Sequence, residues 1–451
     1  MIHHDSFMKT QGIPTDLTFK RHLLPWGLRA LLLGMVLLWS LPATAAITYQ
    51  QIKSFGPSPD QMGETPFSSL LEGNDGALYG TTFSGGSGGL AGGGTVFKVN
   101  KDGTGYTVLY SFGSVVGDGW NPAASLTEGS DGVLYGTTIS GGSAGSFGGL
   151  FGGGTVFKVN KDGTGYAILH SFGSLVGDGL NPSASLIEGN DGVLYGTAAN
   201  GGSAVGFAGG TVFKVNKNGS DYATLHSFAS VDYDGLNPVA SLTEGSDGAL
   251  YGTARQGGSA SEGALFKMNK DGTGYAILHS FRSVVSDGYR PLAGLIEGND
   301  GALYGTTSVD DDGDSTKGGT VFKVNKDGTG YAILYRFSRT GGDGAYPQAS
   351  LTEGNDGALH GMTYKGGSAG KGTLFKVNKD GTGYAVLRGF GGSVGDGQIP
   401  YANLTLGSDG VLYGTTTGGG SAERGTIFKV NEDGTGYAIL RSFITLGICR
   451  T

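Results

Sequence analysis

The sequence predicts an all-β fold, a β-propeller of seven four-stranded blades, and three observations carry that reading. A motif reading D-G-V-L-Y-G-T at 131–137 recurs along the chain. Its aromatic position falls at Tyr79, Tyr135, Tyr195, Tyr251, Tyr304, His360 and Tyr413, in steps of 53 to 60 residues, and self-similarity at a fixed period marks a repeat architecture. Each period holds four short apolar runs bounded by Gly, Asp, Asn or Pro, none long enough for a packed helix. Glycine supplies 91 of the 451 residues with no G-X-Y register, which suits many tight turns and excludes collagen. Two alternatives fit less well: eight blades with one incomplete, and a β-solenoid, which needs shorter rungs and fewer hairpin turns.

Residues 1–45 read as a signal peptide. A basic region runs through Arg29, an apolar stretch follows from Ala30 to Leu41, and Ala43-Thr44-Ala45 forms an A-x-A cleavage site. The apolar run is shorter than the ~20 residues that span a bilayer, so cleavage is expected rather than an anchor; the long stretch before Lys20 makes Met8 an alternative start. The domain proper is expected over 46–443, with 444–451 as a C-terminal tail. Within it, 47–55 ends in Lys53-Ser54-Phe55 and matches the end of a fourth strand, giving eight fourth strands against seven copies of the others. Such a strand either adds to the last blade or remains from a lost one. The tail lacks the D-G-x-x-P linker that follows the other fourth strands, which suggests truncation or a frameshift.

In the second copy the four strands are expected at 123–128, 133–138, 155–160 and 166–172. Asp131-Gly132 and Asp162-Gly163 supply hairpin turns between strands one and two and between three and four. A Gly/Ser/Ala loop joins strands two and three, and 176–182 leads to the next copy. Each unit is thus an antiparallel meander. Adjacent apolar residues such as Val156-Phe157 and Ile168-Leu169 imply sheets covered on both faces, as in a blade between two others. Tyr135 and its counterparts are expected between blades.

The pattern D-G-x-L-Y-G-T-T, a Gly-rich loop, G-T-V-F-K-V-N-x-D-G-T-G-Y and x-x-L-x-S-F, carried by residues 47–443, resembles the GloVer tandem-repeat (choice-of-anchor) proteins. That resemblance implies a secreted bacterial repeat protein, and it assigns no activity. No hydrophobic anchor helix follows Phe443, a departure from the family's interchangeable C-terminal anchors. The first-strand pattern P-x-A-S-L-x-E-G-x-D-G-x-L-Y looks more loosely like that of streptogramin-lyase propellers, without matching catalytic residues.

The net charge is −8, with no Lys/Arg cluster to meet a phosphate backbone, so nucleic acid is excluded as a partner. One cysteine, Cys449, allows neither an internal disulfide nor a Cys-based metal site. The sequence offers a rim of carboxylates in equivalent linkers, Asp118, Asp178, Asp234, Asp287, Asp343 and Asp396, with Trp120 and Tyr289 beside two of them. Together they form a candidate ligand site for a glycan or cation, against the simpler reading that each Asp caps its own turn. Asp310, Asp312 and Asp314 sit at alternate positions, a partial calcium loop, so Ca²⁺ is the one cofactor entertained. Glu72 and its equivalents end the first strands, where near-identical surroundings argue against the two differently tuned carboxylates of glycoside hydrolysis. His170, His226 and His279 recur on fourth strands and read as surface residues rather than a zinc site. Neither a G-x-S-x-G elbow nor a P-loop is present. The expected function is a secreted, periplasmic or cell-surface monomer, a non-enzymatic module binding an extracellular glycan or surface protein. The alternative is a propeller hydrolase or lyase acting on a polysaccharide or small exported substrate.

Overall fold

The computed structural model describes residues 63–88, 92–143, 152–203, 209–228, 233–283, 287–309 and 316–444. Seven four-stranded antiparallel blades form a closed ring, the sixth sheet carrying a fifth strand, Gly344–Pro347, and in five blades a two-residue strand outside the blade sheet separates the second strand from the third. In the second blade the four strands are Thr127–Glu128, Leu134–Thr138, Thr155–Val159 and Ala167–Ser171. Neither a solenoid nor an eighth blade is needed. Blade 7 packs directly on blade 1: Leu70, Phe97 and Tyr106 share one buried cluster with Tyr413, Ile427 and Phe443. Asn403 N donates to Ser69 Oγ at 2.8 Å and Thr415 Oγ1 to the Ser68 carbonyl at 2.9 Å. Blade 7 owns all four of its strands, and among the described residues it meets blade 1 through side chains and polar contacts. The signal peptide, the strand expected at 47–55 and the tail from 445 lie outside the described residues. Among the described residues no helix is long and apolar enough to cross a membrane.

The repeated motif has a local physical logic. Asp131 accepts the Val133 amide at 3.3 Å and the Tyr135 hydroxyl at 2.7 Å, while Gly132 takes the left-handed φ of +76° that closes the hairpin. Tyr135 then lies almost wholly buried against Leu186 and Phe213 of blade 3, between blades as expected. Gly136 faces Phe157 across the ladder, and a Cβ there would meet the Phe157 ring at 2.6 Å. Glycine in Y-G-T thus makes room for the aromatic of the third strand. Gly163 has both reasons to be glycine: its φ is +86°, and a Cβ would approach the Leu109 carbonyl of blade 1 to 2.7 Å.

The first strand is shorter than the sequence suggests. Only Thr127 and Glu128 pair with the second strand; Leu126 is buried in the core against Tyr79 and Phe157, and residues 123–125 line the channel. Their polar groups are satisfied by the neighbouring blade instead. Ser69 N donates to Ser125 Oγ at 3.0 Å, Ser125 N to Ser185 Oγ at 3.0 Å, and Ser185 N to Ser241 Oγ at 3.1 Å. Hydroxyls between blades replace strand pairing, so buried amides keep their partners.

Candidate functional site: the channel mouth

The linker carboxylates are inside the junctions between blades rather than on an open rim. Asp178 accepts the amides of Gly173 and Gly179 at 2.9 and 2.8 Å, His170 Nε2 at 3.0 Å, and the Tyr222 hydroxyl of the next blade. Burial alone would raise its pKa, but the hydrogen bonds from His170 and Tyr222 prevail and hold it below the usual carboxylate value. Asp234 repeats this with His226 and Tyr275, Asp118 with Tyr110 and Tyr166, and Asp343 with Tyr335 and Tyr384. Asp396 takes Arg388 and Tyr437, whereas Asp287 binds His279 while Tyr331 turns to its backbone carbonyl. Asp118, Asp178, Asp234, Asp343 and Asp396 thus cap their own turns, as the simpler reading had it, and each carboxylate also bonds two aromatic or cationic partners; the Asp287 carboxylate bonds His279. None of them gathers with the other Asp residues around a ligand.

The histidines are likewise not surface residues. The His170 ring stacks on Tyr222 with centroids 3.5 Å apart and planes 7° from parallel, and Arg388 lies 3.4 Å over the Tyr437 ring. His, Tyr and Arg interchange here because each can donate to the Asp and stack on the next blade's Tyr. Tyr289 is 6% exposed and lies under Arg282 and Arg290, at 4.8 and 5.6 Å. Trp120 is half-buried, folded over Gly113, where an added Cβ would meet its ring at 2.6 Å. Both rings pack on the blade edge. Asp310, Asp312 and Asp314 lie outside the described residues.

A cavity of about 570 Å³, lined by residues of all seven blades, opens on the channel axis. Two rings of residues build it. One is the residue after the linker proline: Phe67, Ala123, Ser183, Val239, Leu292, Gln348 and Tyr401, different in all seven blades. The other draws on the column at the end of the second strand, Phe83, Ile139, Ala199, Arg255, Ser308, Tyr364 and Thr417, again all different, of which Phe83, Ile139 and Arg255 line the cavity. Aromatics gather on one side. Phe67 meets Phe83 edge-on at 5.2 Å and Tyr401 at 5.5 Å, and Tyr364 meets Tyr401 at 6.2 Å. From blade 4, three blades around the ring from both blade 1 and blade 7, comes Arg255, exposed and without a hydrogen-bond or ion-pair partner for its guanidinium among the described residues. Burial raises the pKa of Tyr401, partly offset by Arg255. Below the mouth the channel narrows to about 100 Å³ between the serine-bearing first strands.

The backbone feeding this ring is strained at a fixed place. The residue before each linker proline sits in the left-handed region: Thr65, Asn121, Asn181, Asn237, Arg290, Tyr346 and Ile399, with φ between 54° and 59°. Asn tolerates this and uses its amide, as Asn121 Nδ2 does on the Phe83 carbonyl at 3.0 Å. Thr65 and Ile399 are β-branched and carry the strain uncompensated.

The family model of the Gloeobacter/Verrucomicrobia repeat matches residues 37–243, 143–315 and 285–448. The chain belongs to this repeat family. No curated protein matches the chain. Among solved structures it is similar to a candidate 6-phosphogluconolactonase from Bacteroides uniformis, at 16% identity over 85% of this chain and 98% of that one, TM-score 0.51. It is also similar to the GH74 xyloglucanase from Xanthomonas campestris, at 15% identity over 82% of this chain, with a TM-score of 0.52. Here it spans about half of the other chain, 52%. At such identities the likeness is one of fold.

The mouth is what sequence reasoning missed. The D-G-x-x-P linkers that carry the rim carboxylates, Trp120 and Tyr289 differ little from blade to blade. The signal lay one residue beyond the proline and one beyond the second strand, the two repeat columns in which no residue recurs.

Proposed function

We propose that the protein is a non-enzymatic extracellular binding module whose channel mouth takes the end of an anionic glycan. The carrying observation is the composition of the mouth, aromatic faces across from the Arg255 guanidinium, which has no hydrogen-bond or ion-pair partner among the described residues. Aromatic faces accept the C–H faces of sugar rings, and a guanidinium pairs bidentately with a carboxylate or sulfate. No Asp, Glu, His, Cys or Lys is among the described residues lining the cavity, and its one acid–base candidate, Tyr401, has its pKa raised by burial, away from neutral pH. Binding is the function such a wall supports. Export rests on the tripartite sequence of residues 20–45.

The test is a saccharide array carrying acidic and neutral glycans, read with the purified chain and with Arg255→Gln. Retention of acidic glycans, lost in the variant, supports the reading. Retention of neutral glycans alone removes the role of Arg255. Release of cleaved or unsaturated products from any glycan makes the protein an enzyme instead.

A further inference from the structure

On the face away from the mouth, six of the seven junctions share one arrangement. A lysine after the third strand reaches a glutamate of its own blade and polar groups of the preceding one. Lys161, for example, lies 2.5 Å from Glu128 and 2.5 Å from Asn74 Oδ1. Lys101, Lys217, Lys270, Lys326 and Lys379 do the same with Glu72, Glu188, Glu244, Glu297 and Glu353. Next to each stands the buried motif Tyr with its Asp, such as Tyr79 donating to Asp75 at 2.8 Å.

The junction of blades 6 and 7 departs from this at three positions together. Leu406 replaces the glutamate, Glu432 the lysine and His360 the tyrosine. An ammonium thus becomes a carboxylate, and the hydroxyl that would donate to Asp356 is gone. A Cβ on Gly354 would meet Glu432 Oε2 at 2.6 Å, Asp356 Oδ1 at 2.8 Å and His360 Cε1 at 2.8 Å; at Gly73 the corresponding neighbour is Lys161 Nζ, at 3.0 Å. The second carboxylate therefore stands where a cation stands elsewhere. Glu432 accepts from the Asn355 amide and Nδ2 at 3.2 and 3.0 Å and the Asp356 amide at 3.2 Å, while Asp356 has the Ala358 amide at 2.9 Å and Lys376 only at 3.8 Å.

His360 supplies an independent pointer. It is fully buried, its Nε2 lies 3.1 Å from the Glu432 carbonyl oxygen, and its Nδ1 has no hydrogen-bond partner. A carbonyl on one ring nitrogen fixes the tautomer and leaves the other a lone pair, the state in which imidazole ligates a metal. One ligand atom each from Asp356, His360 and Glu432 lie within 4.8 Å of one another.

We infer that this junction binds a divalent first-row transition ion, with two carboxylates and an imidazole as ligands and open positions facing solvent. An N/O set of this kind suits Zn²⁺, Co²⁺ or Mn²⁺, whereas an imidazole disfavours Ca²⁺. The site takes the place of the lysine and joins blade 7 to blade 6 through the ion. It is independent of the channel mouth.

The experiment is calorimetric titration of the full chain with Zn²⁺ and Co²⁺, with Ca²⁺ as a control, and the visible spectrum of the Co²⁺ form. The key variant combines His360→Tyr, Leu406→Glu and Glu432→Lys. It rewrites this junction as the other six and so is expected to fold. Asp356→Asn, at an exposed position, is the second. Wild type should bind a single equivalent with a ligand-field spectrum and a raised Tm. Asp356→Asn should bind about 10- to 100-fold more weakly, and the triple variant should lose the spectrum. Equal binding by wild type and triple variant, no binding by wild type, or a preference for Ca²⁺ overturns the inference.

Discussion

The outer junctions of the ring and the mouth of its channel come from the same seven repeats, yet they are written under opposite rules. At the junctions the Asp hub recurs with a partner that can donate and stack, whether His170, Tyr110 or Arg388. At the mouth no two blades place the same residue after the proline. A junction must satisfy a buried carboxylate, and few side chains can do so. A mouth residue faces open space, so its identity is left for recognition. Substitutions should therefore divide into those that unfold the ring and those that blind it.

The largest effect is expected at a hub. Asp178→Ala leaves His170 and the Tyr222 hydroxyl without their shared acceptor at a site where the carboxylate is 1% exposed. Removing one partner from a buried pair costs about 3–5 kcal/mol, so urea unfolding should show a loss of this size. A loss within ~0.5 kcal/mol would deny the hub its role. Next comes Gly136→Ala, which pushes a methyl into the Phe157 ring and should cost about 1–3 kcal/mol by the same assay.

An acid titration sharpens the junction side. Burial would raise Asp75, but the hydrogen bonds from Lys98 and Tyr79 hold it at about 2. A depressed carboxylate stabilises the fold above its unfolded value, near 3.9, and that contribution disappears as the pH falls toward 2. Lys98→Met should thus be less stable than wild type at pH 7, by under about 1 kcal/mol because the pair is partly exposed, and equally stable below about pH 2. A deficit that persists in strong acid would point to lost packing of the lysine stem instead.

Much of this was legible in the chain. The four runs and the Asp-Gly turns specify a meander, because each depends on residues within a few positions of one another, and the period of 53 to 60 residues repeats that meander seven times. The hubs were not legible. His170 and Asp178 are 8 residues apart, but Asp178 and Tyr222 are 44 apart, across a blade boundary that periodicity does not register. Periodicity favours what recurs, and the mouth is the part that does not. Isolated anomalies such as His360, Leu406 and Glu432 read singly as drift. Only the fold places two of them, His360 and Glu432, side by side with Asp356, and Leu406 across the same junction.

The strained residue before each proline sits where junction and mouth meet, and it can be relieved. Ile399→Asn puts at φ 59° a residue that accepts it and gives the new amide the carbonyl of Tyr364, as Asn121 has that of Phe83. A gain of about 0.5–1 kcal/mol in thermal unfolding is expected. A loss would show that the Ile399 side chain packs well enough to outweigh its backbone.

The smallest effect on stability, and the widest separation of the two regions, is expected at Arg255. Its guanidinium is exposed and has no hydrogen-bond or ion-pair partner among the described residues, so Arg255→Gln removes only its weak electrostatic influence on Tyr401. Stability should stay within about ±0.5 kcal/mol of wild type, while retention of an acidic glycan falls. Salt distinguishes the cause: binding carried by one charge weakens as ionic strength rises, and the variant's residual binding should not. Phe67→Ala at the facing wall should instead weaken acidic and neutral saccharides alike, because it removes stacking surface rather than charge. If Arg255→Gln unfolded the ring, or if glycan retention were unmoved by it and by salt, the mouth would belong with the junctions as structure, and the contrast between the two would fail.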